Sequence, residues 1–421
     1  MKRLLILLCL AYIWTACDKM GAGNRFPESV SINDVAFNFT VNYPKGVDLI
    51  KEGWENGDAV FVFLQNFDFF YVKLTFDGVS WKASVNKSGQ APSSEQASSI
   101  RCSGQVNVSA VHLPEGNNEK AESYKNGKYY WCFSSRHLFY LEAERVPCSW
   151  EKSPSGQMTL CATLDMQFPR DYVQVFIEDP AAADGKCTLG TDVLRTAGVM
   201  NICSEDGRIS DDVDYSPLVG YAHNTRYGRG YLFSGKMDPL YQYDGYCFSL
   251  KKEGDGSRND LFVPGTELFA GHRSVTLPAV GSAGWQAVGS GKTVSLRAGT
   301  KDLGTWHSCN YGASVPEEPG KHVMEDEAVA QGAPTADQFR ALMDDCTWSS
   351  VSIDGQCGLV ASSDTGFIFF PADAGTAGSY WSCSPGTGDD FLLGFYFALG
   401  QQRFLEDYSR GMYHMVRPVV K

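Results

Sequence analysis

Cys17 is the residue of this chain best placed for covalent chemistry. Lys2 and Arg3 precede an apolar run from Leu4 to Trp14, and Thr15-Ala16 leads into the cysteine. A basic start, a short apolar core and a small residue before the break are features of a secretory leader. A cysteine directly after Ala16 adds a lipoprotein reading, in which its thiol takes diacylglycerol and its freed amine a third acyl chain. Trp14 stands where a small aliphatic residue is usual, so an ordinary leader cut nearby and an uncleaved anchor are the alternatives. The run is too short and too close to the end to span a bilayer as a stable helix, whereas several acyl chains hold firmly where one does not. The expectation is a leader over 1–16, an anchor and linker over 17–25, and an exported protein held at the outer membrane or cell surface by lipid alone.

Other candidates for chemistry are weaker. Gly289-Ser290-Gly291-Lys292-Thr293 has the look of a phosphate loop, but Gln286 stands where the motif needs glycine, and Val294-Ser295-Leu296 reads as a strand where a helix should follow. A turn near a domain junction is the simpler reading. His112, His137, His223, His272, His307, His322 and His414 are scattered, with no HxH or HExxH spacing, and no serine lies in GxSxG. Glycoside hydrolysis would need two facing carboxylates; acids are plentiful, but scattered acids are mostly solvated surface. No catalytic residue, metal site or cofactor is assigned. For sugar binding the usual chemistry is an aromatic platform beside carboxylates, sometimes with Ca²⁺. Trp381 with the loop from Ser384 to Asp390, which carries Asp389 and Asp390, fits that description. So does the loop from Ser314 to Gln331, with Glu317, Glu318, Glu325, Asp326 and Glu327. No calcium-lectin signature is present, and Glu318-Pro319-Gly320 is only a partial echo of one, so Ca²⁺ has no motif behind it.

The 13 cysteines suggest an oxidising compartment, yet eleven remain after Cys9 leaves with the leader and Cys17 takes lipid. An odd number leaves at least one unpaired, and no repeated CxxC points to zinc. Cys148 and Cys161 flank the turn Ser153-Pro154-Ser155-Gly156 symmetrically, which would set them opposite one another on a hairpin as a possible disulfide.

These residues must be carried by a mainly β, multidomain body. At 421 residues the chain exceeds one core, and 43 glycines with 13% aromatic residues favour strands and tight turns. The net charge of −13, with no Lys/Arg cluster, excludes nucleic acid and anionic lipid surfaces as natural partners. Val35–Val41 and Ala59–Phe63 alternate as strands, and Asp77-Gly78 marks a turn; the stretch from Lys87 to Ser99 reads as a loop. We expect a β-sandwich over 26–166 and a second over 167–300, opened by the Tyr172–Ile177 strand, with turns at Asp184-Gly185, Glu205–Gly207 and Asp255-Gly256. The segment 301–421 is α+β, with one clear helix over about 335–346: Thr335 and Gln338 have capping-box spacing, and Phe339, Leu342, Met343 and Cys346 recur at i, i+3, i+4, i+7.

Several stretches of that last segment occur in one order. Trp306–Gly320, Pro334–Trp348, Phe370-Pro371-Ala372, Gly378–Ser382 and Val416-Arg417-Pro418-Val419 together resemble the "major paralogous" domain of Fibrobacter and Bacteroidales surface lipoproteins. The resemblance implies a C-type-lectin-like fold and a binding module. Nothing resembles the catalytic cysteine signature of formylglycine-generating enzymes, which share that fold. Trp306, Trp348 and Trp381 occupy positions shared by the family, which sets core packing beside ligand binding as their role. Earlier stretches, Trp54–Val60, Asp77–Trp81 and Ala110–Pro114, with Val173–Phe176 and Gly230–Lys236, resemble fimbrillin-like Bacteroidales lipoproteins. The implied protein is a non-enzymatic envelope adhesin or recognition protein whose C-terminal domain binds glycan or protein on host or neighbouring cells. A fimbria-associated subunit bound to other fimbrial subunits, through strand exchange near Val35–Val41, is the alternative, and a glycan hydrolase comes third.

Overall fold

A computed structural model describes residues 26–46, 49–87, 99–113, 123–132, 140–182, 185–214, 217–253, 257–270, 274–282, 284–373, 375–400 and 403–420. The leader, Cys17, most of the 87–99 loop, Pro114, Asp184, Asp255-Gly256, His137 and His272 lie outside them. Among the described residues the body is mainly β, with several sheets and two α-helices, of which one exceeds two turns.

The first sheet has seven strands in the order Val35–Asn42, Met158–Asp165, Leu141–Lys152, Val106–His112, Ala59–Leu64, Phe70–Phe76, Trp81–Lys87. Its first pair is parallel and the others antiparallel. The long strand Leu141–Lys152 serves two layers: Leu141 to Cys148 pairs with Val106–His112, and Ser149 to Lys152 with Cys161 to Met158. A bulge precedes the change of partner, between Ala143 and Val146, where Arg145 takes a left-handed φ of 53°. Bulges are how a strand turns a corner between packed layers. The backbone N–H of Arg145 donates to Ser109 Oγ at 3.0 Å, and its Nε to the Asp206 carbonyl at 2.9 Å, so the unusual conformation is fixed from two sides. Inside the fold Val60, Val62, Leu64, Val72, Leu74, Val108 and Ala110 meet Val35, Phe39, Val41, Leu160 and Leu164.

The Ala59–Leu64 strand departs from simple alternation. Its other face, Phe61 and Phe63, is as buried as the first, and with Tyr71 and Val111 it packs on Tyr129, Tyr172, Met200, Ile202 and Ile209. Tyr129 comes from the Lys128–Cys132 strand, which lies within 26–166 yet joins the twelve-stranded second sheet. A boundary at 166 therefore cuts across a sheet. A boundary at 300 cuts the Thr293–Ala298 and Lys301–His307 pair as well. The second sheet encloses Val173, Val175, Ile177, Leu189, Phe233, Phe248, Leu250 and Leu261.

The hairpin about Ser153–Gly156 forms, but its register corrects the expected cysteine pair. Five residues, 153–157, connect Lys152 to Met158, so Cys161 faces Ser149. Side chains alternate faces along a strand. The one-residue offset accordingly leaves Cys148 against the core, where burial pushes its thiol up to about 12, and Cys161 on the outer face beside Asn38. Both are free thiols.

The last segment wraps two three-stranded antiparallel sheets, Thr347–Ile353/Gln356–Ser362/Phe367–Pro371 and Ala377–Pro385/Phe391–Ala398/Arg403–Ser409, around one helix, Ala336–Asp345. The capping box is made: Gln338 N–H donates to Thr335 Oγ1 at 3.2 Å and Thr335 N–H to Gln338 Oε1 at 2.8 Å. Phe339 and Leu342 are fully buried on Trp306, Phe370 and Phe395, with Met343 and Cys346 at the margin. A second short helix, Glu325–Ala330, lies in the stretch read as loop, with three acids in its first turn and Ala328 buried. Carboxylates there favour the positive helix start. Arg417, fully buried, closes the chain end by donating to the carbonyls of His307 and Phe369, its guanidinium 5.6 Å from the Phe370 ring. Gly289–Lys292 forms a turn followed by a strand, as the residues around Gln286 implied.

Candidate functional site

Each residue put forward for ligand binding has its own setting. Trp381 is not a platform. It is fully buried, its indole N–H donates to the Val323 carbonyl at 2.8 Å, and its ring meets His414 edge-on at 4.8 Å and Tyr408 at 5.7 Å. Trp306 and Trp348 are likewise tied, to the carbonyls of Leu303 (2.9 Å) and Leu342 (3.0 Å). An indole with one polar atom satisfied by nearby backbone is a core device.

Glu317 is engaged elsewhere. It takes Arg258 Nη1 at 2.6 Å, while Arg258 also grips Asp260 through two bonds of 2.7 and 3.0 Å, all in a buried seam. That charge is paired and dry, and serves packing between the second sheet and the last segment. Glu318 is exposed and accepts from Ser314 N–H at 2.7 Å and Ser314 Oγ at 3.0 Å, bonds that hold its carboxyl below the usual range. Its task is a turn.

Asp389 and Asp390 lie exposed on a short tip between two strands. Gly386 N–H donates to the Phe391 carbonyl, and Thr387 N–H to Asp407 Oδ1 at 3.1 Å, so the tip is held at its base. Arg410 N–H donates to the Asp390 carbonyl at 3.0 Å and its Nη1 to Glu325 Oε1 at 2.9 Å. The turn after Arg410 thereby sits between the 386–390 tip and the short helix. It carries Met412 and Tyr413, 47% and 61% exposed, with Met324 exposed at the helix start and Phe391 at the base of the tip. An exposed aromatic ring on a turn that Arg410 ties to the acid-bearing tip takes the part expected of Trp381, and comes from a residue the sequence reading passed over. Gly411-Met412-Tyr413 has no periodicity; its only signal was a turn glycine ahead of two large apolar residues.

Beneath this surface runs a polar array. Ser379 Oγ lies 2.8 Å from His414 Nδ1 and 3.1 Å from Asp373 Oδ2, and His322 Nε2 lies 3.4 Å from the same carboxylate oxygen. The residue types are those of a nucleophilic triad, but the order is wrong. Serine stands between carboxylate and imidazole, so the carboxylate does not orient the imidazole toward serine. Burial pushes His414 down to about 4, keeping it neutral. The array locks the backbone that presents Tyr413.

Among the described residues, no group of three or more His, Cys, Asp or Glu is placed to hold a metal ion, and no helix is long and apolar enough to cross a membrane. No family model matches the chain, and no curated protein matches it. Solved structures do show likeness. A candidate cell adhesion protein from Bacteroides ovatus is 9% identical with a TM-score of 0.32, covering 60% of this chain and 95% of its own. A candidate adhesin from the same species is 12% identical at TM-score 0.29, covering 62% and 99%. A candidate adhesin from Bacteroides thetaiotaomicron is 10% identical at TM-score 0.22, covering 56% and 80%.

Proposed function

We propose that this is a non-enzymatic, cell-envelope recognition protein, an adhesin, that binds glycan or protein through its last segment, 301–421. The observation that carries the reading is the exposed Tyr413–Met412 turn, fixed between the Asp389-Asp390 tip and Glu325 by Arg410. Aromatic and methionine side chains held on a rigid base are what recognition surfaces use, because little entropy is lost when they are covered. In this reading Cys17 carries the lipid and the protein is exported to the outer membrane or cell surface. The test is binding of residues 18–421 to a broad glycan and mucin panel, with and without Ca²⁺. Binding that Tyr413→Ala and Asp389→Asn/Asp390→Asn both weaken supports the assignment; binding indifferent to all of them overturns it. A fimbria-associated subunit is the second reading, favoured by the Val35–Asn42 strand at the sheet's edge, held by a parallel pairing to Met158–Asp165. Concentration-dependent oligomers in light scattering, lost when that strand is cross-linked to its neighbour, would favour it.

A further inference from the structure

The outer face of the layer formed by Val35–Asn42, Met158–Asp165 and Leu141–Lys152 is a concave groove of about 1000 Å³. We propose that this groove is a second binding site, distinct from the Tyr413 surface, and that it takes a neutral oligosaccharide.

Shape comes first. The corner at Arg145 turns the long strand, so the Glu142–Arg145 stretch forms a wall beside a floor of paired strands. The floor is regular: Asn38, Cys161 and Ser149 stand in one row and Thr40 and Thr163 in the next, set by the strand register. The volume is at the upper end of ligand sites, roughly 300–1,000 Å³, large enough for several sugar rings.

Chemistry narrows the class. The floor offers hydroxyl and amide groups that each donate and accept, which matches the hydroxyls of a sugar one for one. Among the described residues no aromatic side chain lines the groove, and an apolar ligand would strip water from these groups without replacing their hydrogen bonds. Glu144, Glu151 and Asp165 oppose, among the described lining residues, Arg145 alone, whose guanidinium is already bonded to Asp206. Sialylated, sulfated and uronic sugars are therefore repelled. Several of the polar groups are fixed in advance: Asp165 accepts from Asn42 Nδ2 at 2.7 Å and Glu144 from Ile209 N–H at 2.5 Å. A basic peptide is the competing occupant on charge. The floor strands are paired to one another, and the one open edge, that of Val35–Asn42, borders the floor instead of crossing it. A peptide that added a strand there would lie beside the groove and not in it.

The experiment titrates residues 18–421 by calorimetry with maltohexaose, cellohexaose, 3′-sialyllactose and a Lys-rich decapeptide. The expected result is saturable binding of at least one neutral hexaose and none of sialyllactose. That binding should weaken about tenfold or more in Asn38→Ala and in Thr163→Lys, and be unchanged in Tyr413→Ala, which separates this site from the one proposed above. Asn38, Thr40 and Thr163 are exposed, and Thr40→Lys blocks the same floor from another strand should Thr163→Lys fail to fold. No saturable hexaose binding, hexaose binding indifferent to the floor variants, or binding of the peptide in its place would each overturn the proposal.

Discussion

Trp381 and Tyr413 have exchanged the parts that residue type alone would give them, and substitution should separate the two. Trp381→Ala removes a fully buried ring and should cost about 3–5 kcal/mol of stability. Tyr413→Ala, at the surface, should stay within about 0.5 kcal/mol of the parent while losing ligand; urea melts beside a binding assay would check both. Two buried ionisable side chains give opposite pH signatures. His414 is depressed to about 4, so the unfolded chain takes its proton first. The stability tied to it is present above about pH 6.5 and is lost as pH falls toward 4. Glu142 is raised to about 7, mainly by burial and then by Glu144 and Asp211. Its share is present below the ordinary carboxylate range and is lost as pH rises toward 7. Glu142→Gln should flatten the neutral side of a stability-versus-pH curve and His414→Gln the acidic side. A curve unchanged by both substitutions would refute the assignment of those groups.

Among the elements, the Ala336–Asp345 helix was the most legible. Its cap, its spacing and its buried stripe all lie within about a dozen consecutive residues, so the local pattern and the packed structure agree. Thr335→Ala should cost about 1 kcal/mol and Thr335→Ser much less, because the hydroxyl accepts the Gln338 N–H. The Cys148–Cys161 hairpin was half legible. Turn residues announced it, but whether the loop holds four or five residues decides which faces the thiols take, and that depends on how both strands meet their neighbours. Mild oxidation of the folded protein should leave Cys148 and Cys161 separately alkylatable by mass spectrometry; a linked peptide pair would contradict the register.

For the whole molecule, the seams between cores matter as much as the cores. Cys247 and Phe262 of the second sheet pack on Val351, Ile353, Val360, Phe367 and Phe369. Around them Asp192 accepts from Ser352 Oγ and Gly355 N–H, and Gln286 bonds the Phe367 backbone twice. Residues 302–421 made alone would expose that apolar face, and should bind a hydrophobic dye and aggregate where 18–421 does not. Arg258→Ala would strand Asp260 and Glu317 in the seam and should cost about 3–5 kcal/mol, whereas an exposed control such as Arg340→Ala should cost well under about 1 kcal/mol. The sequence by itself determined what is local: strand-rich composition, turn positions, a capped helix and the absence of contiguous catalytic motifs. Only the tertiary structure decided which strands share a sheet, that Phe61 and Phe63 are buried on their second face, that Glu317 faces Arg258, and that Tyr413 rather than Trp381 meets solvent. The reason is physical. Periodicity records that a side chain avoids water, but the partner that covers it comes from residues far along the chain, and a buried and an exposed aromatic residue are spelled alike.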